Sequence, residues 1–172
     1  MPRTRVALAA AVAMVGIAAL AGCSKPSGES STTSAPAPSA TPPTGDFGSA
    51  TQAGPGKIKL DITVNGGQPV YGDPTAGKEV FNQCMSCHST KAGVNNVGPS
   101  LHGIIGRRAG SVANFTYSSA NKSSGVVWTE QELYTYLESP QKTIPGTYMT
   151  FLGVKDPQKR ADVIAYLQQD PG

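Results

Sequence analysis

The sequence predicts an all-α domain over residues 72–172, preceded by a small β-hairpin and a flexible linker. Three pairs of residues have the pattern of a helix start, in which a capping side chain precedes a proline or stands three positions before a glutamate. These pairs are Asp73-Pro74, Asp156-Pro157 and Thr129-x-x-Glu132. In the helix that begins at Asp156-Pro157, Val163, Tyr166 and Leu167 fall at i, i+3 and i+4, the spacing of one buried face. The helix that begins at Thr129 should extend through Leu137.

Residues 1–22 have the layout of a signal peptide, with a short basic start followed by the apolar run Val6–Leu20. An uncleaved anchor helix is the alternative, but the run is shorter than the roughly 20 residues that span a bilayer. The run ends in Leu20-Ala21-Gly22-Cys23, which resembles the lipobox of bacterial lipoproteins. That resemblance implies cleavage before Cys23 and acylation of its sulfur. Either alternative tethers the chain to a membrane and places it in an oxidising compartment.

The stretch after Cys23 is rich in Ser, Thr, Pro, Ala and Gly, and Phe47 is its one large apolar residue. Such a segment cannot bury enough apolar surface to offset the entropy lost on ordering. We therefore predict a lipidated cysteine and a flexible linker over residues 23–56, which would let the following domain move above the membrane.

Residues 57–71 have the alternation of a β-hairpin. Ile58, Leu60, Ile62 and Val64 alternate with polar residues, and Asn65-Gly66 then supplies a turn signal. We expect this hairpin to pack on the following domain. A docking surface is the alternative.

The charge of the chain excludes one class of partner. The formal net charge is +3, but from Asp73 onward the sequence has nine Lys or Arg and eight Asp or Glu. Nucleic-acid-binding domains have a strongly basic face, so we predict no nucleic-acid binding.

The motif Cys84-Met85-Ser86-Cys87-His88 is typical of covalent haem attachment. Two thiols at this spacing add to the two vinyl groups of one haem, and the adjacent His88 then offers an imidazole nitrogen to the iron. The alternatives are a thioredoxin-like pair, half of a zinc site or a plain disulfide. The first needs a βαβ context, and the second needs a second cysteine pair, which the chain lacks. We therefore predict one haem c, bound through Cys84 and Cys87 and ligated by His88.

The second axial ligand can be sought by elimination. Of the four methionines, two lie in the signal peptide and Met85 lies within the attachment loop. Met149 remains, in a loop opened by Pro145-Gly146. His102 is the competitor, but it follows the attachment site so closely that it should lie on the His88 side. A thioether ligand favours ferrous iron and raises the reduction potential.

From Gly72 to Leu167 the sequence resembles the class I cytochromes c, close to mitochondrial cytochrome c and its soluble bacterial relatives. The matching stretches run in one order: Gly98-Pro99-x-Leu101-His102-Gly103, Gly106-Arg107, Phe115-Thr116-Tyr117-x-x-Ala120-Asn121, Trp128, Tyr136-Leu137-Glu138-x-Pro140, Ile144-Pro145-Gly146-Thr147-x-Met149-x-Phe151, and Arg160-x-Asp162-x-Ile164-Ala165-Tyr166-Leu167. The resemblance implies the cytochrome c fold, in which the first and last helices cross where a glycine permits close approach.

The resemblance also implies roles for individual residues. The Pro99 carbonyl would accept the second ring proton of His88, as is usual for ligating imidazoles. Arg107, Tyr117 and Trp128 would bond the haem propionates, whose burial without partners would be costly.

On the methionine side, the resemblance implies that Asn121 and Tyr136 steady Met149 and a nearby water, and that Phe151 shields the haem edge. Plain packing is the alternative for each of these residues.

The predicted function is outer-sphere electron transfer by a lipid-anchored, monomeric carrier on the periplasmic side of a bacterial membrane, and not enzymatic catalysis. The expected partners are a cytochrome bc complex and a terminal oxidase, or a photosynthetic reaction centre. The alternatives are a dedicated haem subunit of a periplasmic dehydrogenase or oxidase, and a haem peroxidase or gas-binding protein with an open iron site.

The sequence departs from relatives that ring the exposed haem edge with lysines. Gln141 and Tyr148 occupy two such places. A partial ring remains available from Lys91, Arg108, Lys122, Lys142 and Lys155. Long-range electrostatic steering should therefore be weaker than in strongly basic relatives.

Overall fold

The computed structural model describes residues 45–169 and 171–172. The predicted signal peptide, Cys23 and the linker up to residue 44 lie outside the described residues. The elements are a 3₁₀-helix at Gly48–Thr51, β1 (Ile58–Val64), β2 (Gln68–Gly72), α1 (Pro74–Phe81), α2 (Ser119–Ser123), α3 (Glu130–Glu138), α4 (Pro140–Thr143) and α5 (Pro157–Gln168). None of the described helices combines the length and the apolar character needed to cross a bilayer.

The three predicted helix starts are present, and each is capped by its predicted side chain. In each case the side-chain oxygen accepts a hydrogen bond from a backbone N–H of the first turn, which would otherwise lack a partner. The pairs are Asp73 with Thr75 at 2.8 Å, Asp156 with Gln158 at 2.8 Å and Thr129 with Glu132 at 3.1 Å. α3 ends at Glu138, one residue beyond the predicted end.

Helices α1 and α5 pack directly against each other at Gly77. A methyl group on Gly77 would overlap the backbone carbonyl of Asp162. Beside this contact the rings of Phe81 and Tyr166 lie 5.3 Å apart. The crossing joins the two ends of the α-helical domain and forms one side of its core.

The hairpin β1–β2 is antiparallel, with Val64 opposite Gln68 at the turn end. Asn65 and Gly66 have positive φ angles of 47° and 76°, the conformation that favours Asn-Gly at a hairpin turn. One face of the hairpin is buried, through Leu60, Ile62, Val64 and Val70.

Side chains from α3 and α5 satisfy the backbone of the hairpin. The Asp61 N–H donates to the Glu130 carboxylate, and the Thr63 N–H donates to Gln131 at 2.9 Å. On the other strand, Gln158 donates to the Tyr71 carbonyl at 3.1 Å. The hairpin therefore packs on the helical domain, and its strand edges are covered rather than open to pairing.

The linker prediction was wrong at its C-terminal end. Within residues 45–56 the chain forms the short 3₁₀-helix, and Phe47 and Ala50 are 6% and 0% exposed. Lys57 fixes this segment, because its ammonium group donates to the Ser49 carbonyl at 2.8 Å and to the Gln158 side chain at 2.7 Å. Two apolar anchors and one lysine thus order a segment whose average composition is that of a linker.

Candidate functional site

The end of helix α1 presents Cys84, Cys87 and His88 on one turn. The N–H groups of Cys87 and His88 both donate to the Cys84 carbonyl, at 3.1 and 2.9 Å. Both thiols are partly buried, and neither forms a disulfide. Burial, with a smaller contribution from Cys87, raises the pKa of the Cys84 thiol to about 11. At pH 7 the Cys84 side chain is therefore a neutral thiol and not a thiolate.

The His88 ring is held in one orientation by Gly98 and Pro99. Its Nδ1 lies 2.8 Å from the Pro99 carbonyl oxygen, so we assign the proton to Nδ1, which leaves the lone pair of Nε2 available to a metal. A Cβ atom on Gly98 would overlap the ring. Burial lowers the pKa of His88. The hydrogen bond with Pro99 opposes this shift, and the charge of Arg107 adds to it. The imidazole is thus neutral, as a metal ligand must be.

Met149 is held by its neighbours in the loop that follows α4. The Tyr136 hydroxyl lies 3.3 Å from the Met149 sulfur, and the Met149 N–H donates to the Thr147 hydroxyl at 3.3 Å. Burial raises the pKa of Tyr136, opposed by its hydrogen bond with Thr147, so the hydroxyl keeps its proton and can donate it. These contacts give the thioether a fixed position.

These residues meet in one cavity of about 320 Å³. Every described residue that the sequence analysis proposed for the site lines it: Cys84, Cys87, His88, Pro99, Arg107, Tyr117, Asn121, Trp128, Tyr136, Met149 and Phe151. Much of the remaining wall is apolar, from Phe81, Leu101, Ile104, Leu133, Leu137, Val163 and Leu167. The competing ligand His102 does not line the cavity.

Polar groups of the wall include those of Arg107, Tyr117, Asn121 and Trp128. The guanidinium of Arg107 donates to the His102 carbonyl at 2.6 Å and to the Ser100 carbonyl at 2.8 Å, using Nη1 and Nη2. Burial raises the pKa of Tyr117, so its hydroxyl is a neutral donor.

Asn121 carries an unsatisfied group. Its side chain is 8% exposed, and its Oδ1 is buried without a hydrogen-bond partner among the described residues. A buried polar atom without a partner is costly, and this one lies on a residue of the cavity wall. The apolar wall, the two thiols, the neutral imidazole, the thioether and this orphaned oxygen fit a haem with a bound water.

The donor set does not fit the zinc alternative. Within residues 45–169 and 171–172, no three His, Cys, Asp or Glu side chains come together as a metal cluster would require. A structural zinc site uses four such ligands.

The sequence analysis gave no role to two residues that act on Met149. Thr147 is buried and bonds both the Met149 N–H and the Tyr136 hydroxyl. Gln141 donates to the Met149 carbonyl at 2.7 Å. Thr147 could have been suspected from its place two residues before a proposed ligand. The contact of Gln141 across the loop has no sequence signal.

Comparison with known proteins gives consistent matches over the helical domain. The family model for cytochrome c matches residues 74–170. Cytochrome c2 of Rhodopila globiformis is 52% identical over 98 residues, covering 56% of this chain and 92% of the relative. Cytochrome c2 of Blastochloris viridis is 50% identical over 98 residues, covering 56% and 77%.

A solved structure is similar in fold as well as sequence. Cytochrome cH from Methylobacterium extorquens has 41% identity and a TM-score of 0.54, and the alignment covers 57% of this chain and 99% of that structure. The hairpin and the 3₁₀-helix precede the region that the family model matches.

Proposed function

The chain belongs to the cytochrome c family, and we propose that it carries single electrons between complexes on the periplasmic side of a bacterial membrane, to which the lipobox-like Leu20-Ala21-Gly22-Cys23 would tether it. It is a mono-haem electron carrier with covalently attached haem c, and it is not an enzyme. The tether, the compartment, the partners and the role of each site residue are our proposals.

We assign the attachment and ligation of the haem to four residues. Cys84 and Cys87 would hold it through thioethers, and His88 and Met149 would fill the two axial positions. When bound, the haem iron supplies the one-electron redox chemistry. Pro99 orients the His88 ring through the 2.8 Å hydrogen bond.

The wall residues exclude water and satisfy the polar groups of the haem. Arg107, Tyr117 and Trp128 would face the propionates, and Asn121 would place its orphaned Oδ1 on a bound water near Met149. Phe151 is partly buried and lines the cavity, and we propose that it shields the haem edge. Because both axial positions would be filled, no substrate would bind and little would rearrange on electron transfer.

One observation carries this proposal: the imidazole of His88, the thioether of Met149 and both thiols line the same cavity. The test is an optical spectrum of the haem-loaded protein, recorded oxidised, reduced and reduced with carbon monoxide. We expect a low-spin spectrum, a ferric far-red band from a sulfur–iron bond, and no change with carbon monoxide. A high-spin spectrum or ready carbon monoxide binding would show an open iron site and refute the ligand assignment.

We propose that the tether is a diacylated Cys23 followed by residues 24–44, the part of the predicted linker that lies outside the described residues. Several acyl chains together give stable anchoring, because each buried CH₂ contributes about 0.8 kcal/mol. The proposal rests on the lipobox-like Leu20-Ala21-Gly22-Cys23. Mass spectrometry of the protein purified from membranes should find the acylated Cys23 as its first residue. A chain still carrying residues 1–22 would contradict it.

We propose a cytochrome bc complex and a terminal oxidase, or a photosynthetic reaction centre, as partners. The tether would raise the effective concentration near these membrane complexes and so replace the electrostatic steering that this nearly neutral domain lacks. A tether-free protein should then be oxidised by membranes more slowly than the anchored form at equal total concentration. Equal rates would refute this role of the tether.

A further inference from the structure

The exposed side chain of Gln141 lies on the short helix α4, whose position is fixed by its neighbours. Pro140 before it and Ile144 after it are both buried, and the Ile144 N–H donates to the Pro140 carbonyl at 2.9 Å. The backbone from which Gln141 projects is therefore anchored in the core, although the side chain itself reaches solvent.

The amide group of Gln141 spans the loop that carries Met149. Its Nε2 donates to the Thr147 carbonyl at 3.1 Å and to the Met149 carbonyl at 2.7 Å. The amide nitrogen has two N–H groups, so both are used on this loop. The two carbonyls flank Tyr148, which is 72% exposed. Gln141 thus holds in place a loop segment whose middle residue is exposed to solvent.

Three side chains act on Met149, each on a different atom. Tyr136 contacts its sulfur, Thr147 accepts from its N–H, and Gln141 donates to its carbonyl. Tyr136 and Thr147 are buried. Gln141 is the only one of the three that can be changed without disturbing the core.

We propose that Gln141 is a positioning residue that holds the Met149 loop closed, so that the thioether stays in place against a competing ligand. This inference rests on the proposed ligand role of Met149. A ligand that displaces the thioether must move the 147–149 segment away from the cavity, and that movement breaks both hydrogen bonds of the Gln141 amide. These bonds therefore oppose ligand exchange.

The test is titration of the ferric, haem-loaded protein with imidazole, which can bind the iron only after Met149 leaves. Gln141→Glu keeps the size of the side chain but replaces the N–H donors with an oxygen that repels both carbonyls. Gln141→Ala removes the donors without adding charge. Because exposed hydrogen bonds each contribute modestly, we expect each variant to bind imidazole about fivefold more tightly than the unmodified protein.

Lys142→Ala is the matched control. Lys142 is the next residue of the same helix, is exposed, and makes no side-chain hydrogen bond within the part of the chain that the structure describes. Its imidazole dissociation constant should stay within about twofold of the unmodified value. A purely structural role for Gln141 would lower the denaturation midpoint of its variants without tightening imidazole binding.

Two results would overturn the proposal. If the unmodified protein has the far-red band but Gln141→Glu and Gln141→Ala bind imidazole as Lys142→Ala does, Gln141 does not hold the loop. If the unmodified protein itself lacks the far-red band or binds carbon monoxide at once, Met149 is not the ligand. The second result refutes the ligand assignment, whereas the first leaves it standing.

Discussion

The Tyr136 hydroxyl illustrates how one contact can tune the site. It lies 3.3 Å from the Met149 sulfur, and a donor at that distance draws electron density away from the thioether. A weaker thioether donor stabilises ferric iron less, so the hydrogen bond should raise the reduction potential. Tyr136→Phe keeps the ring, which packs 4.8 Å from the Trp128 ring.

We expect Tyr136→Phe to lower the midpoint potential of the haem-loaded protein by about 30 mV, which is about 0.7 kcal/mol for one electron. Spectroelectrochemical titration measures this change. Tyr148→Phe removes an exposed hydroxyl next to Met149 and serves as the control. An unchanged or raised potential in Tyr136→Phe would show that its hydroxyl does not act on the thioether.

Gly98 is the second residue on which the site depends. An added methyl group would overlap the His88 ring, and the Gly98 N–H donates to the Cys87 carbonyl at 2.7 Å, so the backbone cannot easily withdraw. We expect Gly98→Ala to destabilise the haem-loaded protein by about 2–3 kcal/mol, as overpacking of a core does.

Denaturant titration tests the Gly98 prediction. Gly54→Ala is the control, since its added methyl group would meet only Lys57 at 3.9 Å. An equal denaturation midpoint for Gly98→Ala and Gly54→Ala would contradict the prediction, because it would mean that the His88 ring can move away from an added methyl group at no cost.

At the scale of elements, the contact between the hairpin and α3 should depend on pH through Glu130. Its carboxylate is buried and accepts from the Asp61 N–H. Burial raises the pKa of Glu130 above its ordinary value of 4.5; the Asp61 N–H opposes this shift and the Asp61 charge adds to it. As pH rises from 4.5 through the raised value, the unfolded chain loses its proton first, so the folded state loses stability.

Glu130→Gln cannot titrate but keeps an oxygen for the Asp61 N–H. We therefore expect the unfolding free energy of Glu130→Gln, relative to the unmodified protein, to increase between pH 4 and pH 7. Urea denaturation at both pH values measures it, with Glu79→Gln, an exposed helical carboxylate, as the control. A relative stability that does not change with pH would show that burial of Glu130 has no energetic effect.

The elements also show what the sequence could and could not reveal. Each long helix was predictable because a capping side chain marks its start, and the hairpin was predictable because alternation and Asn65-Gly66 occur together. Helices α2 and α4 have five and four residues, too few for a periodic pattern. The fold of residues 45–56 depends on Phe47 and Lys57 reaching distant partners, and local composition carries no information about such contacts.

The same division holds for the site. Every predicted site residue in the described part of the chain lines the cavity. The motif identified Cys84, Cys87 and His88, elimination identified Met149, and the resemblance to class I cytochromes c implied the others. Contacts that close a loop, such as those of Gln141, depend on where α4 lies relative to Met149. That position is set by tertiary packing and not by spacing along the chain.

At the scale of the whole molecule, the order found in residues 45–56 shortens the proposed tether to residues 24–44. A flexible chain of that length has an r.m.s. reach of about 25 Å. The domain would thus stay near the membrane surface, where partner complexes are also confined. Docking would then depend on the surface around the cavity more than on attraction from a distance.

The cavity wall itself carries little charge. Within residues 45–169 and 171–172, Arg107 is the only lysine, arginine, aspartate or glutamate in the cavity wall, and its guanidinium donates to backbone carbonyls. Two of the lining residues, Val97 and Tyr148, are exposed by 79% and 72%. An apolar contact surface of this kind gives association rates that respond weakly to salt.

We therefore expect the bimolecular rate of electron transfer from the tether-free protein to an isolated oxidase to change less than about threefold between 10 and 150 mM salt, whereas steered association falls steeply over that range. Tyr148→Lys with Thr150→Lys adds two charges at exposed cavity-lining positions. With an acidic partner, this variant should react faster at low salt and lose the advantage at high salt.

Gln52→Lys with Thr63→Lys is the control, because it adds the same charge away from the cavity. Its rate should not rise at low salt. If the unmodified protein already shows a steep salt dependence, the partial ring of basic residues steers it, and the tether is not needed for that purpose.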